Sequence, residues 1–114
     1  YDTRVNQRET YLTTLHVMTN ENTPTPLYDV VQSGESKWWK LSKEDSQRVT
    51  HIMIWDEGTN TKVKGVIDEM ERVTTPHVGY IVRFTPQPLS DGTLYRSVRN
   101  SNRPRFDRRG IYID

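Results

Sequence analysis

The chain has no cysteine among its 114 residues. That excludes a disulfide framework, a thiolate metal site and a thiol nucleophile. It also lacks any apolar run long enough to cross a bilayer, and no signal-peptide pattern opens it. Together these absences set the expectation of an intracellular protein, cytoplasmic or nuclear. No Gly-rich phosphate loop is present. Asn22-Thr23-Pro24 and Asn60-Thr61-Lys62 both fail as glycosylation sequons. Lysine is missing after Lys64, so every later cation is an arginine.

The formal charge is only +1, but it is unevenly spread. From Gly92 onward there are six arginines and two carboxylates, whereas residues 1–91 carry ten basic and thirteen acidic side chains. Arginine is favoured over lysine where a planar fork must grip phosphate or stack on a ring. Arg96, Arg99, Arg103, Arg105, Arg108 and Arg109 are therefore candidates for contact with a polyanion. Arg83 joins them from the strand described next. The competing reading of the run is a solvated C-terminal loop, and the sequence weighs the two evenly.

A chain of this length is one domain, 1–114, able to bury a core without staples. Because it does not begin with Met, it is expected to be a piece of a longer protein, with other domains of that protein as possible partners. Residues 1–9 are polar and are expected to form a loose terminus or edge. Its organising stretch runs from Thr50 to Pro86. His51 to Asp56, Lys62 to Val73 and Val78 to Phe84 read as three strands joined by turns at Glu57-Gly58-Thr59-Asn60 and Thr74-Thr75-Pro76-His77, an antiparallel meander. Val78, Tyr80, Val82 and Phe84 fall on one face of the third strand and are expected in the core. The first strand is apolar on both faces and is expected to be covered on both sides. In the second strand Val63 and Ile67 are in phase, but Val66 and Met70 are not. One inserted residue reconciles the halves, and Gly65 lies beside the change. A long bulged strand between shorter ones lets a small sheet coil, so the expected fold is mainly β, a small antiparallel barrel.

The flanking segments add short elements. Thr10–Thr19 fits helical or strand spacing, and its threonines favour strand. Residues 20–25 read as a loop. Thr25-Pro26 followed by Leu27, Val30, Val31 and Gly34 predicts a helix over 26–32. Ser42-Lys43-Glu44-Asp45 resembles a capping box and predicts a second helix over 43–49. Leu89 to Thr93 holds a turn. Leu94-Tyr95 and Ile111–Ile113 are candidate strands, and residues 100–110 between them form an arginine-rich loop.

Motif searches mostly exclude. Gly110-Ile111-Tyr112 matches the first half of a nuclease signature but leaves no room for the second half. Asp68, Glu69 and Glu71 cluster without a histidine or lysine in any catalytic order, and a solvated strand face explains them. His16, His51 and His77 lack ligand spacing. With no catalytic constellation, no metal site and no cofactor motif, a non-enzymatic binding role is expected. Its aromatic candidates are Trp38, Trp39 and Trp55. Trp55 reads as core. For the adjacent pair, an extended backbone sends the rings to opposite faces. One of them is then left either to cover a helix or to line a surface cleft, where it is a platform for a stacked base or an anchor for a protein partner.

From Trp38 onward, Trp38-Trp39-Lys40-Leu41-Ser42, a short polar helix, Ile52-Met53-Ile54-Trp55 and Val63-Lys64-Gly65-Val66-Ile67 leading into Asp68-Glu69 resemble the PUA-like superfamily of small β-barrels, which includes the ASCH, EVE and YTH domains. The resemblance implies a barrel that binds DNA or RNA, in several members by reading a modified base in an aromatic pocket. Carried over residue by residue, it makes Trp38, Trp39 and Trp55 the positions for that pocket.

Overall fold

The computed structural model describes residues 13–19, 27–99 and 101–114. The expected loose terminus, the 20–25 loop and the Thr25-Pro26 helix start lie outside the described residues. The elements are β1 (Thr14–Thr19), α1 (Leu27–Ser33), β2 (Glu35–Trp39), α2 (Lys43–Arg48), β3 (His51–Asp56), β4 (Thr61–Val73), β5 (Gly79–Pro86), β6 (Arg96–Ser97) and β7 (Ile111–Ile113). The strands form one sheet in the order β2-β5-β4-β3-β1-β7, with β6 beside the start of β4, and it curls into a half-barrel.

The meander lies at the centre of this sheet. The thirteen-residue β4 divides its length between two partners. Residues 61–66 pair with β3 and 65–73 with β5, all antiparallel. The pairing slips between Ile67 opposite Phe84 and Glu69 opposite Arg83, so the inserted residue is Asp68, not a neighbour of Gly65. Its carboxylate accepts a hydrogen bond from the Thr85 hydroxyl at 2.6 Å. Val63 faces the core before the bulge and Met70 packs against the core after it, while Val66 stays on the outer face. Gly65 has a different task. A Cβ there would lie 2.6 Å from the Phe84 ring and 3.0 Å from the Thr85 carbonyl oxygen, so its hydrogen lets that ring lie flat on the sheet.

Tyr80, Val82 and Phe84 are buried as expected, but Val78 is not. It precedes the first residue of β5 and is 55% exposed. On the outer face, Glu71 and Glu69 meet Arg83 at 2.7 and 3.5 Å, and Glu35 meets it from β2 at 2.9 Å. The Glu69 side chain is 63% exposed, so its Coulomb gain is screened by water. Replacing Glu69 by Gln is expected to leave the chemical-denaturation midpoint nearly unmoved; a shift as large as that of a core truncation would mean the sheet faces are reversed.

The segment before the meander adopts the strand alternative. Leu15 and Val17 of β1 are fully buried, and β1 runs parallel to β3, in register from Thr14 opposite His51 to Thr19 opposite Asp56. The sheet is therefore mixed, not wholly antiparallel as expected. β3 needs partners on both edges because it is buried on both faces, and β1 supplies the second. β7 then adds antiparallel to β1. The other expected strand, Leu94-Tyr95, packs against the core instead, and pairing begins at Arg96. Both helices form. Leu27, Val30 and Val31 bury the inner face of α1. Gly34, at a φ of +70°, ends it and lends its carbonyl to the Phe84 N–H. The Ser42 hydroxyl caps α2 by accepting from the Asp45 N–H at 3.1 Å. No helix among the described residues is long and apolar enough to cross a membrane.

Candidate binding cleft

β2 and β7 are the two ends of the strand path. A cleft of about 730 Å³ opens between β2 and the turn that leads into β7, with Met18 and Thr19 of β1 and one side of α1 closing it.

The β2 wall carries both tryptophans. Two residues lie between Ser36 and Trp39, but only one lies between their partners Val82 and Tyr80, so β2 carries an extra residue there. Both tryptophans border the cleft, along with Glu35, Ser36 and Lys37, the Trp39 ring lying toward Gly110 and the Trp38 ring toward His77. Trp39 is half-buried against the core, its indole N–H donating to the Ser36 hydroxyl at 2.7 Å. Trp38 is 36% exposed, with the His77 ring edge-on at 4.9 Å and the Lys37 ammonium 5.3 Å from its centroid. Gly79 permits this arrangement. A Cβ at that position would stand 2.9 Å from the Trp38 carbonyl carbon.

The opposite wall is a turn built by Asp107. Its carboxylate accepts from the Arg109 N–H at 2.8 Å and from the Ile111 N–H at 3.3 Å, while the Gly110 N–H bonds to its carbonyl. Gly110 holds a φ of +78°, a conformation glycine adopts without strain. Its carbonyl accepts from the Met18 N–H at 3.0 Å, which fastens the turn to β1. Arg109 bridges the two walls. One end pairs with Asp107 at 2.6 Å, and the other donates to the Lys40 carbonyl at 2.6 Å. Arg103 pairs with Glu57, and its guanidinium lies 5.6 Å from the Phe106 ring. Arg108 also lines the cleft and forms no ion pair with a described residue.

The Arg109 hydrogen bond holds the Asp107 carboxyl below its ordinary range; the turn's N–H groups add to this against the opposing effect of burial. A carboxyl depressed in the fold contributes stability above its unfolded pKa and loses it as pH falls. The contribution of Asp107 to the midpoint of thermal unfolding is therefore expected to be constant above about pH 5 and to be lost below about pH 4. Asp107→Asn, which keeps an acceptor oxygen but not the charge, is expected to flatten the midpoint's fall there. An unchanged slope would remove Asp107 from the acid response.

Other predicted site residues lie elsewhere. Trp55 is 5% exposed. Its N–H donates to His16 Nδ1 at 3.0 Å, the Lys62 ammonium covers its ring at 4.4 Å, and Phe106 meets it edge-on. These groups surround its ring, although Trp55 also borders a second, smaller cleft. His16 is fixed by the same contacts. Nδ1 accepts from Trp55, so Nε2 carries the proton toward Asp114, 3.2 Å away. Arg83 belongs to the outer-face carboxylate cluster. Arg96 stands opposite Lys62 at the start of β4, and its charge, after burial, helps to lower the lysine's pKa. Arg99 and Arg105 are exposed and line neither cleft. Among the described residues no cluster of His, Asp and Glu has metal-holding geometry.

The main cleft also contains residues that sequence reasoning passed over, Lys37, Met18 and Phe106, and Glu57 lines the smaller one. Phe106 had a signal, as the aromatic embedded in the arginine run. The others had none, because their place depends on chain segments far apart in sequence. No family model, curated protein or solved structure matches the chain.

Proposed function

We propose that this chain is a non-catalytic nucleic-acid-binding module of PUA-like architecture, and that the cleft between β2 and the 106–110 turn receives an unpaired or flipped base. One observation carries the reading. Trp38 and Trp39 share a single cleft with Arg103, Arg108 and Arg109, although more than half the chain separates the two groups. Aromatic faces that accept any base, next to guanidinium groups that grip phosphate, are the two components of single-strand recognition. Asp29, Glu35 and Asp107 also line the cleft, but Glu35 and Asp107 are engaged by Arg83 and Arg109.

The rival reading is a protein-docking surface. Trp38 stands next to Gly79 and His77, and Val78 between them is exposed, which gives a small apolar patch at the rim. Fluorescence anisotropy with labelled single- and double-stranded DNA and RNA, modified and unmodified, separates the two. Binding that favours single strands and weakens steeply with salt supports the module. No affinity for any nucleic acid at low salt overturns it and leaves the apolar rim as the functional surface.

A further inference from the structure

Beside the main cleft lies the second, of about 390 Å³, bounded by the β3–β4 turn and the segment after β6. The two share just two lining residues, Met18 and Arg103. Arg103 is therefore the partition between them. Its guanidinium touches Met18 sulfur at 3.6 Å, lies over Phe106 and ends on the Glu57 carboxylate in the β3–β4 turn. Of the arginines that line the main cleft, Arg109 is committed to the turn and to the Lys40 carbonyl, so moving it would unfasten a wall. Arg103 has no such duty. Both it and Glu57 are more than half exposed, so their pairing is weak and exchangeable.

We propose that the Arg103–Glu57 pair is an intramolecular latch, in which Glu57 occupies the guanidinium that a ligand phosphate must take, so that anionic ligands enter by exchanging one carboxylate for one phosphate. This rests on the nucleic-acid reading of the cleft and adds a regulator to it. The exchange moves no atom of the fold's core. Arg103 swings from the β3–β4 turn toward the main cleft, and the partition opens, so the two clefts become one groove. A backbone phosphodiester, with two non-bridging oxygens sharing one charge, matches the arginine fork as the carboxylate it displaces does.

The test is a double-mutant cycle on the full chain with a labelled eight-residue oligothymidylate over a range of salt. Glu57→Gln is expected to tighten binding by about two- to fivefold, the equivalent of releasing one exposed ion pair. Arg103→Gln is expected to weaken binding and to flatten the salt slope by roughly 0.7, one phosphate contact on a single strand. In the Arg103→Gln background, Glu57→Gln is expected to do almost nothing, because the carboxylate acts only through that guanidinium. Glu44→Gln, removing an exposed acid on α2 outside both clefts, controls for net charge and is expected to leave affinity within about twofold of the wild type. A Glu57→Gln gain that persists without Arg103, or that Glu44→Gln matches, overturns the latch by showing simple charge repulsion. Wild-type binding with no Glu57→Gln gain overturns the latch alone. Absence of binding by every variant overturns the underlying reading as well.

Discussion

Phe84→Ala is expected to destabilise the fold by about 3–5 kcal/mol, the cost of emptying a large buried aromatic site. Phe84 is 4% exposed and lies where three constraints meet. Its ring covers Gly65 on β4, its N–H is held by the Gly34 carbonyl at the end of α1, and it pairs with Ile67 immediately before the bulge. Neighbours fixed by backbone bonds cannot collapse into the void, so the cavity persists. The expected companion results are a smaller loss for Val82→Ala, about 2–3 kcal/mol from a shorter side chain, and almost none for Val78→Ala, within about 0.5 kcal/mol as at ordinary surface sites. Urea denaturation of the three variants checks the order. A cost at Val78 equal to that at Phe84 would contradict the buried face described for β5. The converse change, Gly65→Ala, drives a methyl group into the same ring and is expected to destabilise by overpacking.

These contrasts also mark how far the sequence could be read. The meander was legible because period two is a local property, and its breakdown in β4 announced an inserted residue. Where the residue sat was less legible. Val66 is apolar on the solvent face, so the pattern admitted a break near Gly65 when the true one is at Asp68. Val78 continued the alternation of β5 but stands outside its first residue, and periodicity cannot tell where a strand stops. The parallel pairing of β1 with β3 left no local mark at all. Nothing in Leu15 or Val17 specifies which strand they will meet, and the choice is settled by the two-sided burial of β3. In the same way the tryptophan pair and the arginine run were each visible, but their meeting was not. It depends on the pairing of β2 with β5 at one end of the sheet and on a turn at Asp107 that sets its arginines across the cleft from β2. Trp55 and Arg83 illustrate the opposite limit. Their residue types suited the role, while Lys62, His16 and the outer-face glutamates had already claimed their contacts.

The largest functional effect is expected from Trp38→Ala. Trp39 is the poorer probe because it packs on the core and bonds to Ser36, so its loss mixes stability with binding. Trp38 offers exposed ring at the rim of the cleft, and its removal is expected to cost about 1–3 kcal/mol of single-strand affinity through lost base stacking. The salt slope should stay nearly constant, since a ring releases no counterions. Arg108→Gln is expected to behave in the complementary way, lowering affinity for all sequences alike and reducing the slope by roughly 0.7. Arg109→Gln differs from both. It breaks the tie to the Lys40 carbonyl and the pair with Asp107, so its loss of affinity should come with a lowered melting temperature, which Arg108→Gln should not show. Equilibrium titrations at several salt concentrations, read beside thermal melts, resolve the three patterns. If Trp38→Ala leaves affinity unchanged while Arg108→Gln abolishes it, the cleft is an electrostatic groove without base contact. If both leave it unchanged, nucleic acid binds elsewhere, and the exposed rim of Trp38 and Val78 becomes the surface to test against protein partners.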